Sequence, residues 1–131
     1  MEVNNVEWTL DKGRPIVPQL CEQVCLRIAL GKFLPEERLP SVREIALLAG
    51  VNPNTVQKTF DRLSEMGILY SQRSLGWFVS PDTAAAREAL RLIYREKTDR
   101  FFAEMQALGM SRGETMQYLN QYYEKGTENH E

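Results

Sequence analysis

Metal ligands and redox groups are scarce in this chain. Its 131 residues hold one histidine, His130, and two cysteines, Cys21 and Cys25. A structural zinc site needs four ligands of that kind, so one chain cannot assemble it. The cysteines lie four apart, on one face of any helix that carries them. A disulfide between such neighbours fails on geometry. They read as two small buried hydrophobes in a reducing compartment, with a thiol sensor as the sharper alternative. Also missing is an apolar run long enough to span a membrane, and Met1-Glu2-Val3-Asn4-Asn5 is too polar and acidic for a signal peptide. A cytoplasmic protein is expected. No glycine-rich phosphate loop, no nucleophile with a histidine partner and no metal cluster occurs, so no catalytic residue, metal or cofactor is assigned and an enzyme is not expected. Nor is there an excess of positive charge: the net charge is −2 and the pI about 5.5.

What remains is a globular composition, 43% hydrophobic and 26% charged, enough for one domain or a small domain with an extension. Its organising stretch is 39–63. Pro40 cannot sit inside a helix, so helical structure starts after it. Ser41 with Glu44 forms a capping box, Ile45, Ala46, Leu48 and Ala49 supply an apolar side, and Gly50 is the stop. A second helix opens on Asn52 as N-cap with Pro53 at its first position. Val56, Phe60 and Leu63 give it a single inward stripe, and Gly67 ends it. The turn Gly50-Val51-Asn52 forces a steep crossing, with small Ala46 facing Val56 at the close approach. This is a helix-turn-helix.

Outward from the second helix point Asn52, Asn54, Thr55, Gln57, Lys58 and, at the margin, Thr59. These are amides, hydroxyls and one cation, groups that pair with base edges and phosphates in a major groove. Between Glu44 and Asp61 there is no acidic residue. An ordinary bundle helix would mix Glu and Lys on that face. Basic and acidic side chains balance over residues 1–80, nine of each, yet 45–60 and 66–81 hold no acid. Contact with double-stranded DNA would therefore rest on a local patch and weaken steeply with salt.

Around this core, residues 1–13 read as an extended arm carrying Trp8 and Leu10. Pro15-Ile16-Val17-Pro18 is a punctuated stretch, and a helix follows over about 19–30, burying Leu20, Val24 and Ile28. Glu36-Glu37-Arg38 leads into the helix-turn-helix. After Gly67, residues 68–72 and 77–80 read as a two-stranded hairpin turning through Arg73-Ser74-Leu75-Gly76. A hairpin directly after a recognition helix is a wing, whose tip Arg73 would reach phosphates or the minor groove. It must pack on the helices through Leu69, Phe78 and Val79.

Beyond Pro81, a helix over roughly 83–108 of about 35–40 Å precedes a second one from the Ser111–Glu114 capping box to about Glu124. The remaining tail, 125–131, reads as frayed. Apolar Leu90, Ile93, Phe101, Phe102, Met105, Tyr118 and Tyr122 exceed what two helices can bury between them, so a homodimer interface is expected there. A two-fold dimer would read inverted half-sites. The expected fold is mainly α with a small β-hairpin: a winged helix-turn-helix domain at 10–80 and a helical dimerisation region at 81–131.

Taken together, Pro15-Ile16, Gln19-Leu20, Ile28 to Gly31, Leu39-Pro40-Ser41-Val42-Arg43, Leu48 to Val51, Asn54-Thr55-Val56, Leu63, Gly67-Ile68 and Gly76 to Val79 resemble the N-terminal domain of GntR-family bacterial transcription regulators. The short two-helix tail resembles the YtrA subfamily. The resemblance implies a DNA contact at Arg43, base reading from the start of the recognition helix, and a wing tip, Arg73 and Ser74, at the minor groove. It also implies a regulator, in the repressing sense, often of transporter operons. Two departures stand out. Many relatives have Ser-Arg where Asn52-Pro53 stands, and glycine where Ser74 stands. The alternative reading is a winged helix that binds protein, through Trp77 and Tyr70. A small-molecule effector could act at the dimer interface or between the domains, and the sequence identifies none.

Overall fold

The computed structural model describes residues 7–129. Among these, five helices and one hairpin follow in the order α1 (Ile16–Ala29), α2 (Val42–Ala49), α3 (Pro53–Glu65), β1 (Leu69–Gln72), β2 (Gly76–Val79), α4 (Ala84–Ala107) and α5 (Arg112–Asn129). The chain divides into two compact units, residues 1–91 and 92–131, with the division inside α4.

In the first unit, α1 begins three residues earlier than its prolines suggest. Pro15 is the N-cap residue and Pro18 falls in the first turn, where a backbone N–H has no intrahelical acceptor and proline loses nothing. No side chain of residue 15 caps this end. Buried Gln19 secures it instead: its Nε2 donates to the carbonyls of Asp11 (2.8 Å) and Pro15 (2.9 Å), and its Oε1 accepts from the Asp11 N–H at 2.7 Å. The arm before it crosses α1 with the Trp8 ring under the Arg27 guanidinium, 3.7 Å from Cζ to ring centroid.

Both helices of the helix-turn-helix start as their sequence dictates. The Glu44 N–H donates to Ser41 Oγ at 3.1 Å, while the Ser41 N–H donates to Glu44 Oε1 at 2.9 Å. Gly50 closes α2 at φ +69°, a left-handed conformation that costs a residue with a Cβ. Leu20, Val24 and Ile28 of α1, Ile45, Ala46 and Ala49 of α2, and Val56, Phe60 and Leu63 of α3 form one buried core. That burial drives the assembly, at about 25 cal/mol per Å² of apolar surface removed from water.

The wing is antiparallel, with Leu69 opposite Val79 and Gln72 opposite Gly76. It has a neighbour that the sequence conceals. Residues 37–39 run along the outside of β2 and meet it through one isolated bridge: the Leu39 N–H donates to the Trp77 carbonyl (2.8 Å), the Val79 N–H to the Glu37 carbonyl (3.0 Å), and Arg38 bridges Phe78. The inward set also differs from expectation. Leu69 and Val79 are buried, but side chains alternate along a strand, so Phe78 cannot share their face. It stacks on Tyr70 at 5.6 Å. Trp77 takes the inward place and meets the Phe60 ring edge-on at 5.4 Å.

Ala86, Ala89 and Leu90 bury the start of α4 in the first unit. Leu90, at 7% exposure in the single chain, has little surface left for a partner, which corrects its place among interface residues.

The second unit holds the rest of α4 and α5. Ser111 and Glu114 make the expected capping box, the Glu114 N–H donating to Ser111 Oγ and the Ser111 N–H to Glu114 Oε1. Thr115 is fully buried and donates its hydroxyl to the Ser111 carbonyl. The helix continues past Glu124 to Asn129 rather than fraying at 125; His130 and Glu131 lie outside the described residues.

Candidate nucleic-acid interface

The start of α3 is built by Asn52 and Pro53. Proline at the first position removes an N–H that has no partner and fixes φ for the helix. Asn52 Oδ1 accepts the Asn54 N–H at 2.7 Å, so half of the Asn52 amide is committed to the cap and its NH₂ is the part left to face a ligand. Asn54, Gln57 and Lys58 are exposed, Thr55 is half-buried. Thr59 is not on this face. It is 1% exposed and its hydroxyl donates to the Thr55 carbonyl, because it lies one residue from Phe60 on the inward side.

Gln57 starts with a partner. Its Nε2 donates to Asp61 Oδ1 at 3.0 Å, one turn along α3. Any base contact by this amide must replace that exposed bond, whose net worth is about 1 kcal/mol.

Arg43 is exposed in the first turn of α2, and Arg73 and Ser74 are exposed at the wing turn. There the Leu75 N–H donates to the Gln72 carbonyl at 3.0 Å, and Ser74 adopts φ +68°. That left-handed backbone is the physical reason a glycine suits this position. All eight residues assigned to DNA thus fall within the first unit, on α2, on α3 with its cap, and on the wing.

The electrostatics are those of a local patch. Among the described residues, Arg43, Lys58 and Arg73 form no ion pair. Glu44 stays ionised, its pKa held below the usual carboxylate value chiefly by the Ser41 backbone N–H. One cation near the turn escaped the sequence reading. Lys12 Nζ donates to the Gly50 carbonyl at 2.9 Å, tying the N-terminal arm to the end of α2. No local signal could have announced a bond across 38 residues.

The cysteines offer no site. Both are free thiols, and burial pushes Cys21 up to about 11 and Cys25 up to about 12, so neither supplies a thiolate near neutrality. Among the described residues no group of three or more His, Cys, Asp or Glu side chains could hold a metal ion, and no helix is long and apolar enough to cross a membrane.

A short helix-turn-helix whose recognition helix carries no acid before Asp61, flanked by a β-wing bearing an arginine at its turn, defines a winged-helix DNA-binding regulator. Comparison with known proteins gives the particular family. Residues 18–79 match the bacterial regulatory proteins of the gntR family. Over 114 residues the chain is 32% identical to the uncharacterized HTH-type transcriptional regulator YhcF of Bacillus subtilis, covering 87% of this chain and 94% of that one. A GntR family transcriptional regulator from Listeria monocytogenes superposes with a TM-score of 0.72 at 28% identity, over 86% of this chain and 98% of its own. The DNA-binding domain of AraR, solved in complex with operator ORX1, superposes with a TM-score of 0.50 at 32% identity, over 54% of this chain and 87% of its own. The chain belongs to the GntR family and is a DNA-binding transcription regulator, as the family's members are, rather than an enzyme.

Proposed function

We propose that this regulator is a cytoplasmic homodimeric repressor that reads an inverted-repeat operator. The observation that carries the reading is the start of α3, where Asn54, Gln57 and Lys58 stand exposed with no carboxylate before Asp61. In this reading Asn52, Asn54, Thr55 and Gln57 read base edges, while Arg43, Lys58, Arg73 and Ser74 fix the protein on the backbone and at the minor groove.

The second unit supports the dimer. Phe101, Tyr118 and Tyr122 are 37%, 50% and 68% exposed in the single chain, and Ile93, Phe102 and Met105 are half-buried. Rings left that open in a monomer are covered in a two-fold assembly, which then presents two recognition helices to half-sites one helical turn, or a multiple, apart. The repressing sense follows the resemblance to YtrA-like regulators: a dimer seated on a promoter-proximal operator excludes polymerase.

The test is selection of random duplex DNA by the purified protein. Enrichment of an inverted repeat supports the reading, and absence of enrichment favours a winged helix serving a protein partner. On the selected operator, Lys58→Ala and Arg73→Ala weaken binding to all sequences alike. Asn54→Ala relaxes preference at one base position, costing about 1–3 kcal/mol there. A sequence-independent loss for Asn54→Ala would reassign it to the backbone.

A further inference from the structure

The wing carries a second cation, at its base rather than its tip. Arg38 forms a single antiparallel bridge with β2, its backbone held between the Leu39 N–H to Trp77 bond (2.8 Å) and the Val79 N–H to Glu37 bond (3.0 Å). Leu39 is buried, so alternation places Arg38 on the outer face of the sheet with its bridge partner Phe78.

Along that face the side chain runs toward the wing turn and rests on Gly76. A Cβ at Gly76 would stand 3.2 Å from Arg38 Nε, 3.7 Å from Nη2 and 3.9 Å from Cζ. The bare backbone of Gly76 is therefore the seat of the guanidinium. Glycine is required there by its backbone, since φ is +115°, outside the range of residues with a Cβ.

The charge of Arg38 is uncommitted. It is exposed and makes no ion pair among the described residues. Glu44, in the first turn of α2, lies close enough to feel its field, while its Oε1 is engaged by the Ser41 N–H. Neighbouring Glu37 is likewise turned back, its Oε1 accepting the Leu34 N–H at 2.7 Å. Arg38 thus holds a planar five-donor fork between the start of α2 and the turn that carries Arg73. Those two elements carry Arg43 and Arg73, both assigned to DNA above, and the guanidinium geometry matches two oxygens of one phosphate.

We infer that Arg38 is a phosphate-contacting residue of the wing base, pre-positioned by Gly76, that clamps the operator backbone without reading sequence. The inference rests on the DNA docking proposed above and adds a contact to it.

Salt dependence tests it. Full-length protein, Arg38→Met, Arg38→Gln and Arg38→Lys are titrated by fluorescence anisotropy into the selected operator and into a random duplex of the same length. Met keeps the apolar stem over Gly76 and removes the charge; Gln is the second neutral variant should the Met variant melt lower. One lost phosphate contact makes the slope of log K against log salt shallower by about 0.9, so the affinity lost between about 50 and 200 mM salt shrinks by about 3.5-fold. The neutral variants are expected to show that change equally on both duplexes, and Arg38→Lys to keep the wild-type slope. A wild-type slope in the neutral variants, or a loss confined to one base position, overturns the inference while leaving DNA docking intact. Salt-independent or absent binding by the wild-type protein overturns the docking reading itself, and the Arg38 contact with it.

Discussion

Phe60 joins the recognition helix to the wing, so its ring is the place to test whether the two act as one body. Its side chain is fully buried and the Trp77 ring meets it edge-on, centroids 5.4 Å apart and planes at 67°. Truncation by Phe60→Ala loses the transfer energy and leaves a cavity, about 3–5 kcal/mol. That is a large share of the roughly 5–15 kcal/mol that hold a domain. Phe60→Leu is the more informative change. It keeps most of the apolar volume and forfeits the quadrupole contact, about 0.5–1.5 kcal/mol beyond area burial. A double-mutant cycle with Trp77→Leu isolates the ring pair. Urea unfolding followed by tryptophan fluorescence suits it, because Trp8 and Trp77, the chain's two tryptophans, both lie in the first unit. Trp8, under the Arg27 guanidinium, remains as reporter when Trp77 is replaced. The coupling energy is expected at about 1 kcal/mol. A value below about 0.3 kcal/mol, the limit of additivity for independent sites, would refute the claim that this pair braces the wing on α3.

Three further outcomes follow from local geometry. Ser74→Gly relieves a left-handed serine, whose strain is about 1–2 kcal/mol, against a chain-entropy cost of about 0.5–1 kcal/mol; stability rises by up to about 1.5 kcal/mol in urea unfolding, and a clear loss would mean the hydroxyl holds the turn. Asn52→Ala removes the acceptor of the Asn54 N–H and costs about 1 kcal/mol, whereas Asn52→Ser keeps a cap; equal stability of the Ala variant and wild type would show the cap to be idle, and the operator affinity of the Ser variant isolates what the amide reads. The cysteines set an alkaline limit. Burial raises them from an ordinary 9.0 to about 11 and about 12, so above pH 9 the native state holds protons that the unfolded chain releases. Their contribution to stability is full below pH 9 and falls as pH rises towards 11 to 12. A Cys21→Ala, Cys25→Ala variant should lose stability less steeply over that window; a parallel decline in both proteins would contradict the raised values.

The helix-turn-helix was legible because its signals are local. Ser41 with Glu44, Pro53 after Asn52, Gly50 at the turn and the Val56–Phe60–Leu63 stripe each act within one or two turns of chain. The second capping box, Ser111 with Glu114, was legible for the same reason. What escaped was set by partners distant in sequence. Residues 36–39 look like a charged lead-in, and only β2, some forty residues on, gives Arg38 its bridge partner Phe78. Trp77 and Phe78 are equally aromatic, and the register with Leu69 decides which one turns inward. Pro18 looked like a helix breaker until Gln19 proved able to hold residues 11–15 onto the first turn of α1. At the interface, chemistry type could be read from sequence but availability could not. Asn52 is half engaged as a cap, Gln57 is held by Asp61, and Thr59 faces the core.

A net charge of −2 sits awkwardly with a polyanionic target, and the side-chain partners show why it does not decide the matter. Several acids of the first unit are fixed by short local bonds. Asp11 accepts from the Gly13 N–H and from Arg14, Glu37 from the Leu34 N–H, Glu44 from the Ser41 N–H, and Asp61 from Gln57. Arg38, Arg43, Lys58 and Arg73 form no ion pair among the described residues. The carboxylates keep their charge, but they are held where they are, whereas the basic side chains of Arg43, Lys58 and Arg73 carry no such bond among the described residues and Arg38 already lies along the wing. At physiological salt, charges further apart than about 8 Å are largely screened, so a docked duplex responds to the cations it touches and little to the remote remainder. Net charge acts instead on approach, where the field of the whole protein steers encounter. This regulator should therefore associate with DNA more slowly at low salt than a basic winged helix of equal contact number. Once bound, its salt slope should count only the phosphates its own cations reach.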